Sequence, residues 1–576
     1  MGGLSYHIGV TPIATAAQMR AIEAEADRRG HAYAAMMDLA GRAVAREVMG
    51  WAGDTGTHRP TVVVLCGPGN NGGDGLVAAA ALADAGMAVR VVTWRRAPDG
   101  RVAEARAHNV PVLALDARPD DAHADAADIA PSDLAGTAVD GTLSGTLSGW
   151  LADADVVVDA LLGTGARGPL TGAVADLLDR VAAAQPRFVV AVDLPTGLDA
   201  DSGALDAHAL AADLTVTFGC AKPGHVAFPG AAAVGRLVVD GIDIADDIVR
   251  ACAAPPLGIV TDADVAGWLP PRPPDAHKGT FGRALVVAGS RAYPGAAALA
   301  AGGAYRAGCG LVTVAATAEV RAAVAAHLPE ATFLPLPEVH GGISAAAAEA
   351  VRTAWLAYDA VLIGPGLSRD RGVAEFVRAL LDGLSDLVED ARPGRVVVDA
   401  DGLNLLADHP AGPRALPIGA VLTPHPGEMA RLTGLTVAAV NADRVAVARR
   451  WAAAWRHVVV LKGAHTVVAA PDGRCAVVPI ATSALAKAGT GDVLAGLIAG
   501  LLAAGAPPFE AAAAAVHTHA LAGLRLAASP SGARAAVAGD LLAHIGPVWR
   551  GLGDASHAAP ARRTTVSAGS APPPSE

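Results

Sequence analysis

The sequence predicts two successive three-layer α/β/α domains, and three observations carry that reading. Continuous apolar runs rich in β-branched residues alternate with longer Ala-rich stretches along the whole chain, the pattern of a parallel sheet covered by helices on both faces. Several of these runs end in Gly-rich turns that bear a carboxylate or an amide. The chain has 576 residues, several domains' worth, and six prolines (Pro255, Pro256, Pro270, Pro271, Pro273, Pro274) crowd its middle. Proline removes backbone donors and restricts its neighbours, so this stretch reads as a connector with one short structured piece inside it. The expected organisation is a first domain over 1–254, a connector over 255–276, a second domain over 277–552 and a disordered tail over 553–576.

The elements follow in order. Thr15-x-x-Gln18 is a capping box that opens an amphipathic helix through Arg28. Strands are expected at 61–66, 89–94, 156–160, 188–193 and 214–218, then at 283–288, 311–315, 360–363, 396–399, 420–422 and 458–461. Residues 116–149, first Ala/Asp-rich and from Gly136 to Gly149 rich in Gly, Ser and Thr, read as a surface loop.

Composition removes several classes of function. Apolar residues make up 52% and aromatic ones 3%, so the cores must be built from Ala, Val and Leu. With 44 Lys plus Arg against 56 Asp plus Glu, the net charge is −12, and no basic run exceeds Arg95-Arg96, which argues against nucleic acid as a partner. Five scattered cysteines without CxxC spacing suggest neither a zinc site nor a disulfide framework, so a reducing cytoplasm is expected. The N-terminus lacks the signal-peptide pattern, and Tyr6 breaks the myristoylation pattern. The longest apolar run, 493–506, has 14 residues, short of the roughly 20 that a membrane span needs.

In the first half, the strand at 61–66 runs into Gly67-Pro68-Gly69-Asn70-Asn71-Gly72-Gly73-Asp74-Gly75. Gly67, Gly69 and Gly72 satisfy the GxGxxG fingerprint, whose backbone amides can cradle phosphate at a helix N-terminus. The acidic residue that a dinucleotide site carries after its second strand is absent, and Arg95 and Arg96 stand there instead. Two more strands end in carboxylates: Asp159 before Leu161-Leu162-Gly163-Thr164-Gly165, and Asp193 before Leu194-Pro195-Thr196-Gly197. Each could be a buried cap of its own loop. Three Gly-rich strand ends in one half favour a site beyond the carboxyl ends of the strands.

These strings, with Met36 to Gly41 and the Lys222-Pro223-Gly224 turn, resemble the NAD(P)H-hydrate epimerases over residues 10–250. The resemblance implies a Rossmann-like domain in which Asn70, Asn71, Gly72, Gly73 and Asp74 hold the hydrated nicotinamide nucleotide. Gly163, Thr164, Gly165, Ala166, Arg167, Gly168 and Pro169 hold it from the second loop. It implies a potassium ion on Asn71, Asp159 and Thr196, and makes Asp193, facing the substrate, the acid/base that inverts the hemiaminal carbon C6. An oxygen-only donor set suits a hard monovalent cation.

In the second half, Ala488-Gly489-Thr490-Gly491-Asp492 opens a long apolar helix. Glycine amides at a helix N-terminus can neutralise a transferring phosphoryl group, and the adjacent carboxylate can take a proton from an attacking hydroxyl. Lys462-Gly463-Ala464-His465-Thr466, Ile363-Gly364-Pro365-Gly366, Thr423-Pro424-His425-Pro426-Gly427-Glu428 and Asp399-Ala400-Asp401 close other strands with cations, carboxylates and close-approach backbone. His517 and His519 read as packing residues of an Ala-rich helix. Together with HKGTFGRALVVAGS and RAGCGLVTVA, these strings resemble the ADP-dependent NAD(P)H-hydrate dehydratases of the ribokinase-like superfamily over residues 260–550.

That resemblance implies that Lys462, Gly463, Ala464, His465, Thr466 and Gly491 hold the adenine nucleotide. Gly310, Gly366, His425 and Asp492 contact the hydrate, and Asp492 is catalytic. Magnesium is expected with ADP as phosphoryl donor, AMP and phosphate being released. Lys487, where many members have a small residue, either adds a phosphate contact or points to solvent. The expected partners are NADHX or NADPHX and ADP, without nucleic acid or membrane, in a homo-oligomer of open subunit number. The choices between ADP and ATP and between NADHX and NADPHX stay open. The rival enzyme is a ribokinase-like vitamin kinase fused to a non-catalytic nucleotide-binding domain. A dehydrogenase is disfavoured by the missing acid, and a non-catalytic scaffold by Asp159, Asp193 and Asp492.

Overall fold

The computed structural model describes residues 10–115, 141–166, 168–253, 256–339, 342–384, 395–555 and 563–566. The chain forms an N-terminal unit from Thr11 to Pro256, to which the strand Arg563–Val566 also belongs, and a C-terminal unit from Leu257 onward.

In the N-terminal unit the parallel strands are β1 (Thr61–Cys66), β2 (Ala88–Trp94), β3 (Val112–Leu115), β4 (Val156–Ala160), β5 (Phe188–Val192), β6 (Leu214–Phe218) and β7 (Arg236–Asp240), in the order β7-β6-β5-β4-β1-β2-β3. Side chains alternate across a strand, so β1 feeds both faces. Val62, Val64 and Cys66 pack with Met19, Ile22 and Val44, whereas Val63 and Leu65 pack with Leu177, Leu178 and Val181. Helices cover both faces, as the continuous apolar strands require. The helix Ala16–Arg28 opens with the expected Thr15–Gln18 capping box. β1 lies between β2 and β4, so the chain reverses direction across the sheet there. Ligands of open α/β sheets bind at that switch point, beyond the carboxyl ends of the strands.

The C-terminal unit contains β8 (Leu257–Ile259), β9 (Arg283–Val287), β10 (Leu311–Ala316), β11 (Thr332–Pro335), β12 (Ala360–Ile363), β13 (Val396–Val398), β14 (Val421–Leu422), β15 (Val458–Leu461), β16 (Thr466–Ala469) and β17 (Cys475–Val478). Their order is β8-β17-β16-β15-β14-β13-β12-β9-β10-β11, with the switch at β9. From β11 to β15 the neighbours are parallel; β15, β16 and β17 form antiparallel pairs.

Three local expectations differ from the structure. Residues 141–152 form the helix Gly141–Ala152 rather than loop, with Leu147 and Leu151 buried; Gly and Ser lower helix propensity, but two leucines one turn apart anchor it to the sheet. Residues 116–140 lie outside the described residues. The proline-rich stretch supplies β8 and the helix Asp262–Trp268 to the C-terminal unit. In the tail expected to be disordered, the helix Ala538–Ala555 runs past 552, and Arg563–Val566 pairs antiparallel with β7. The rest of the tail lies outside the described residues.

The helix Thr490–Ala503 is buried along almost its whole length and packs on the helix Pro294–Arg306. The approach is close because Gly496 has no side chain: a Cβ there would lie 2.0 Å from the carbonyl oxygen of Ala300. Overpacking of this kind typically costs about 1–3 kcal/mol. Gly496→Ala is expected to lower the denaturation midpoint of the C-terminal unit accordingly; an unchanged midpoint would show that the two helices separate without cost.

Candidate functional site

At the switch point of the N-terminal unit, the turn after β1 and the loop after β4 press together. A Cβ at Gly67 would stand 1.7 Å from the Leu161 carbonyl oxygen. This brings Asn71 beside Gly163, where a Cβ would sit 3.5 Å from Asn71 Oδ1. The Asn71 side chain is buried, yet neither Oδ1 nor Nδ2 has a hydrogen-bond partner. Asp159, 1% exposed, accepts the Thr196 N–H at 2.8 Å on one oxygen and the Thr196 hydroxyl at 2.6 Å on the other. Burial pushes the Asp159 carboxyl up, while the bonds from Thr196 and Leu161 oppose it. An orphaned amide beside a buried carboxylate and a threonine fits a hard, oxygen-liganded cation.

Arg96 explains the missing acid of the dinucleotide pattern. Its Nη1 donates to the carbonyls of Gly67 and Gly69, both at 2.9 Å, and Nη2 pairs with Asp99 at 2.6 Å. The arginine therefore grips the Gly-rich turn from behind. Asn70 is exposed at the start of the helix Asn70–Asp84, and Gly72, Gly73 and Asp74 are buried in its first turns. Gly163, Ala166, Gly168 and Pro169 line a cavity of about 270 Å³ together with Gly197 and Asp199. Thr164 and Gly165 lie in the same loop, and Arg167 is outside the described residues.

Asp193 follows β5 with φ +65°, a left-handed backbone rare for a non-glycine residue. Its Oδ1 accepts from Lys222 Nζ at 2.5 Å and from the Thr217 hydroxyl at 2.8 Å. Lys222 is 1% exposed and also donates to Thr217 Oγ1 and the Phe218 carbonyl. Burial alone would raise the Asp193 carboxyl; the Lys222 ammonium outweighs it and holds the group below the usual carboxylate range. Asp74 goes the opposite way, raised well above that range by burial and by the carboxylates of Asp193 and Glu23. Glu23 is raised as well, chiefly by burial. The site thus holds one carboxyl group that its lysine holds down and two that burial pushes up.

In the C-terminal unit a second lysine–aspartate pair does similar work. Asp399, 1% exposed, follows β13 and accepts from Lys462 Nζ at 2.6 Å and from the Thr423 hydroxyl at 2.7 Å. Glu428 Oε2 lies 3.9 Å from the same ammonium and accepts the His425 N–H at 2.8 Å. A Cβ at Gly491 would stand 3.5 Å from Lys462 Nζ and 3.9 Å from Asp399 Oδ2, so the GTGD turn, the lysine loop and Asp399 converge. Burial disfavours charge on Lys462, but Asp399 and Glu428 hold its pKa above the ordinary value. Asp492, in the first turn of its helix, is pushed up to about 7 by burial and by Asp399. Burial likewise pushes Glu428 up to about 7. Asp492 and Gly366 line one cleft of about 440 Å³ with Tyr293, Ser368, Arg369 and Asp401.

Of the remaining expected residues, Gly310 lies apart from this centre: it precedes β10, at the edge of the parallel sheet opposite to the strand ends that carry Asp399, Lys462 and Gly366. His425 is exposed; its Nδ1 accepts the Gly427 N–H at 3.0 Å, which leaves Nε2 to carry the proton. Gly463 and Ala464 are exposed and His465 is buried, while Thr466 begins β16. At Gly310 a Cβ would meet the Lys278 carbonyl at 1.8 Å, so close backbone packing alone requires glycine there. Lys487 donates to the Arg534 carbonyl at 2.9 Å, a third outcome beside the two expected. His517 pairs with Asp262, and His519 bonds the Thr490 carbonyl at 2.9 Å, which steadies the GTGD turn. Magnesium has no protein cage: among the described residues no three of His, Cys, Asp and Glu gather around one metal position. Magnesium normally needs only one or two carboxylates when phosphates supply the rest.

Sequence reasoning met Lys222 only as part of a matching turn and gave it no role, and it missed Thr217, His225, Glu23 and Arg444. Arg444 donates to the carbonyls of Leu461 and Ala464 and so frames the lysine loop. Strand periodicity reads a lysine after an apolar strand as an exposed end, and only its sequel Pro223-Gly224 hinted at a built turn.

The profile described as "NAD(P)H-hydrate dehydratase" matches residues 284–545, and that described as "YjeF-related protein N-terminus" matches residues 33–224. The bifunctional NAD(P)H-hydrate repair enzyme Nnr of Moorella thermoacetica is 39% identical over 504 residues, 85% of this chain and 88% of that protein. The Nnr of Escherichia coli is 34% identical over 486 residues, 84% of each chain. The structure of the ADP/ATP-dependent NAD(P)H-hydrate dehydratase of Bacillus subtilis, co-crystallised with ATP and Mg2+, covers 51% of this chain and 98% of its own at 33% identity, with a TM-score of 0.42. By the two profile matches and the two Nnr relatives, which run through both units, the chain belongs to the family of bifunctional NAD(P)H-hydrate repair enzymes.

Proposed function

We propose that the N-terminal unit epimerises R- and S-NAD(P)HX at C6 and that the C-terminal unit dehydrates the S epimer to NAD(P)H with ADP as phosphoryl donor. The observation that carries it is Asp492: a half-buried carboxyl, its pKa pushed up to about 7 by burial, at a glycine-bearing helix N-terminus beside Lys462. First-turn amides of a helix have no intrahelical partner and point at the phosphoryl group. Lys462, Gly463, Ala464, His465, Thr466 and Gly491 hold the nucleotide; Gly366 and His425 hold the hydrate. Asp492 takes the proton of the C6 hydroxyl as its oxygen attacks the β-phosphorus of ADP, and AMP leaves. The ring nitrogen lone pair then expels phosphate, and loss of the adjacent proton restores the ring double bond. Magnesium, when bound with the nucleotide near Glu428 and Asp399, neutralises phosphate charge.

In the epimerase site the C6 hydroxyl takes a proton from solvent and leaves as water, expelled by the ring nitrogen lone pair. A water then adds to C6 on the other face, and the ionised Asp193 accepts the proton that it sheds and returns it to solvent. Lys222 sets that ionisation state. Potassium, when bound by Asn71, Asp159 and Thr196, supplies the charge that ties the two substrate loops together. The reading carries with it a cytoplasmic location, which five free cysteines support, and a homo-oligomer. Among the described residues no helix is long and apolar enough to cross a membrane.

General-base catalysis contributes about 10²–10⁴-fold. Asp492→Asn is expected to slow dehydration by that factor while leaving epimerisation and ADP affinity intact; near-wild-type turnover would remove Asp492 from the chemistry. The pH dependence has a definite sign. Asp492 must be ionised, so dehydration kcat/KM should fall as the pH drops below about 7, and a flat profile down to pH 5 would contradict the assignment. For the ion, Asp159→Ala should abolish any potassium-dependent thermal shift of the N-terminal unit and weaken epimerisation, with dehydration of the S epimer unaffected. A potassium shift that survives the substitution places the ion elsewhere.

A further inference from the structure

His225 is buried, 2% exposed, in the short helix Pro223–Val226. Its Nδ1 accepts the Lys222 backbone N–H at 3.1 Å. An amide nitrogen cannot accept, so Nδ1 carries no proton, and the proton sits on Nε2. Nε2 lies 2.9 Å from the carbonyl oxygen of Asp193, which can only accept. The imidazole therefore joins the main chain at Lys222 to the main chain at Asp193, the two residues whose side chains form the ion pair. It does so where the Asp193 backbone sits at φ +65°, a conformation that its surroundings must hold. Burial pushes the His225 pKa down to about 3, so the ring stays neutral and this tautomer persists through the working pH range.

Resting on the proposed epimerase chemistry, we propose that His225 is a positioning residue that clamps the strained main chain of Asp193 to the Lys222 turn and so keeps the Asp193 carboxylate paired and ionised for proton transfer. It touches neither the reacting carbon nor the nucleotide. The charged and titratable groups that bear on Asp193 are Lys222 and His225 from this turn, Glu23 from the helix Ala16–Arg28 and Asp74 from the helix Asn70–Asp84. Lys222 is the one whose distance the clamp sets. If the clamp is lost, the ammonium moves and the nearby carboxyls raise Asp193.

Two substitutions separate this role from simple packing. In His225→Gln the side-chain amide nitrogen reaches the Nε2 position and can still donate to the Asp193 carbonyl. In His225→Asn the side-chain oxygen replaces Nδ1 and the link to Asp193 is lost. In the full chain, His225→Asn is expected to lower epimerisation kcat by roughly 10²-fold, as expected for a misplaced catalytic group. KM should be unchanged, and the acid limb of the pH profile should move to higher pH. His225→Gln should restore most of the rate and the original limb. Dehydration by the C-terminal unit is the internal control for folding in both. The Asp193 carboxyl is also titrated directly by ¹³C NMR without substrate, and it should rise in the Asn variant alone. Equal impairment of both variants, or an unmoved acid limb and carboxyl titration in the Asn variant, overturns the proposal. A carboxyl that shifts as expected in a protein whose wild type does not epimerise NAD(P)HX leaves the clamp standing and refutes the proposed activity instead.

Discussion

In each unit a lysine ammonium held against one buried aspartate sets the electrostatics of everything around it. Taking an ammonium out of water is costly, and only a close, well-bonded carboxylate offsets that cost. Lys222 has Asp193 at 2.5 Å and Lys462 has Asp399 at 2.6 Å, each aspartate also accepting a threonine hydroxyl. Each pair consumes its own charge. For carboxyls nearby, burial and the negative neighbour outweigh what the shared lysine still contributes, and Asp74, Glu428 and Asp492 all rise. In the N-terminal unit one carboxyl is held down while its neighbour is pushed up, the arrangement that acid/base chemistry needs.

The parallel sheets explain why these groups meet at all. Asp159 closes β4, Asp193 follows β5, Thr217 lies in β6, and Asn71 opens the helix after β1. In the other unit Asp399 follows β13, Thr423 follows β14 and Lys462 follows β15. Adjacent parallel strands end on the same edge, so residues far apart in sequence gather there without long loops. The price is that the backbone itself must approach closely, and Gly67 and Gly364 stand where no Cβ fits.

This accounts for what could be read from the sequence. Strands buried on both faces are continuous apolar runs, and β1, β4, β6, β12 and β15 have the expected limits. The edge strand β11 leaves no such run, the edge strand β3 offers only four apolar residues of which two are buried, and β16–β17 turn back antiparallel just after what reads as a nucleotide loop. Site residues on Gly-rich strand ends were legible because turn chemistry is local. Lys222, His225 and Glu23 were not, because their partners lie on other elements and only the fold brings a lysine, a histidine and a helix carboxylate to one point. Arg96 shows the same limit: the sequence reveals an arginine where an acid was expected, but not that its guanidinium holds two carbonyls of the turn.

The two sites differ in how the catalytic carboxyl is held, and the difference follows from its place in the fold. Asp492 belongs to a long helix locked into an Ala-rich core, with Gly496 against Ala300 and His519 on the Thr490 carbonyl. A helix so packed has few alternative positions, and its carboxyl needs no further bond to be placed. Asp193 belongs to a loop just beyond a strand, in a backbone conformation that costs free energy. A loop residue under strain must be held from outside, and Lys222, Thr217 and His225 each supply a bond to it. Asp492 is left free to gain and lose a proton near neutrality, whereas Asp193 is bound tightly enough to stay ionised. The packing of a helix and the clamping of a loop thus give two carboxyls of the same chemical type opposite resting states.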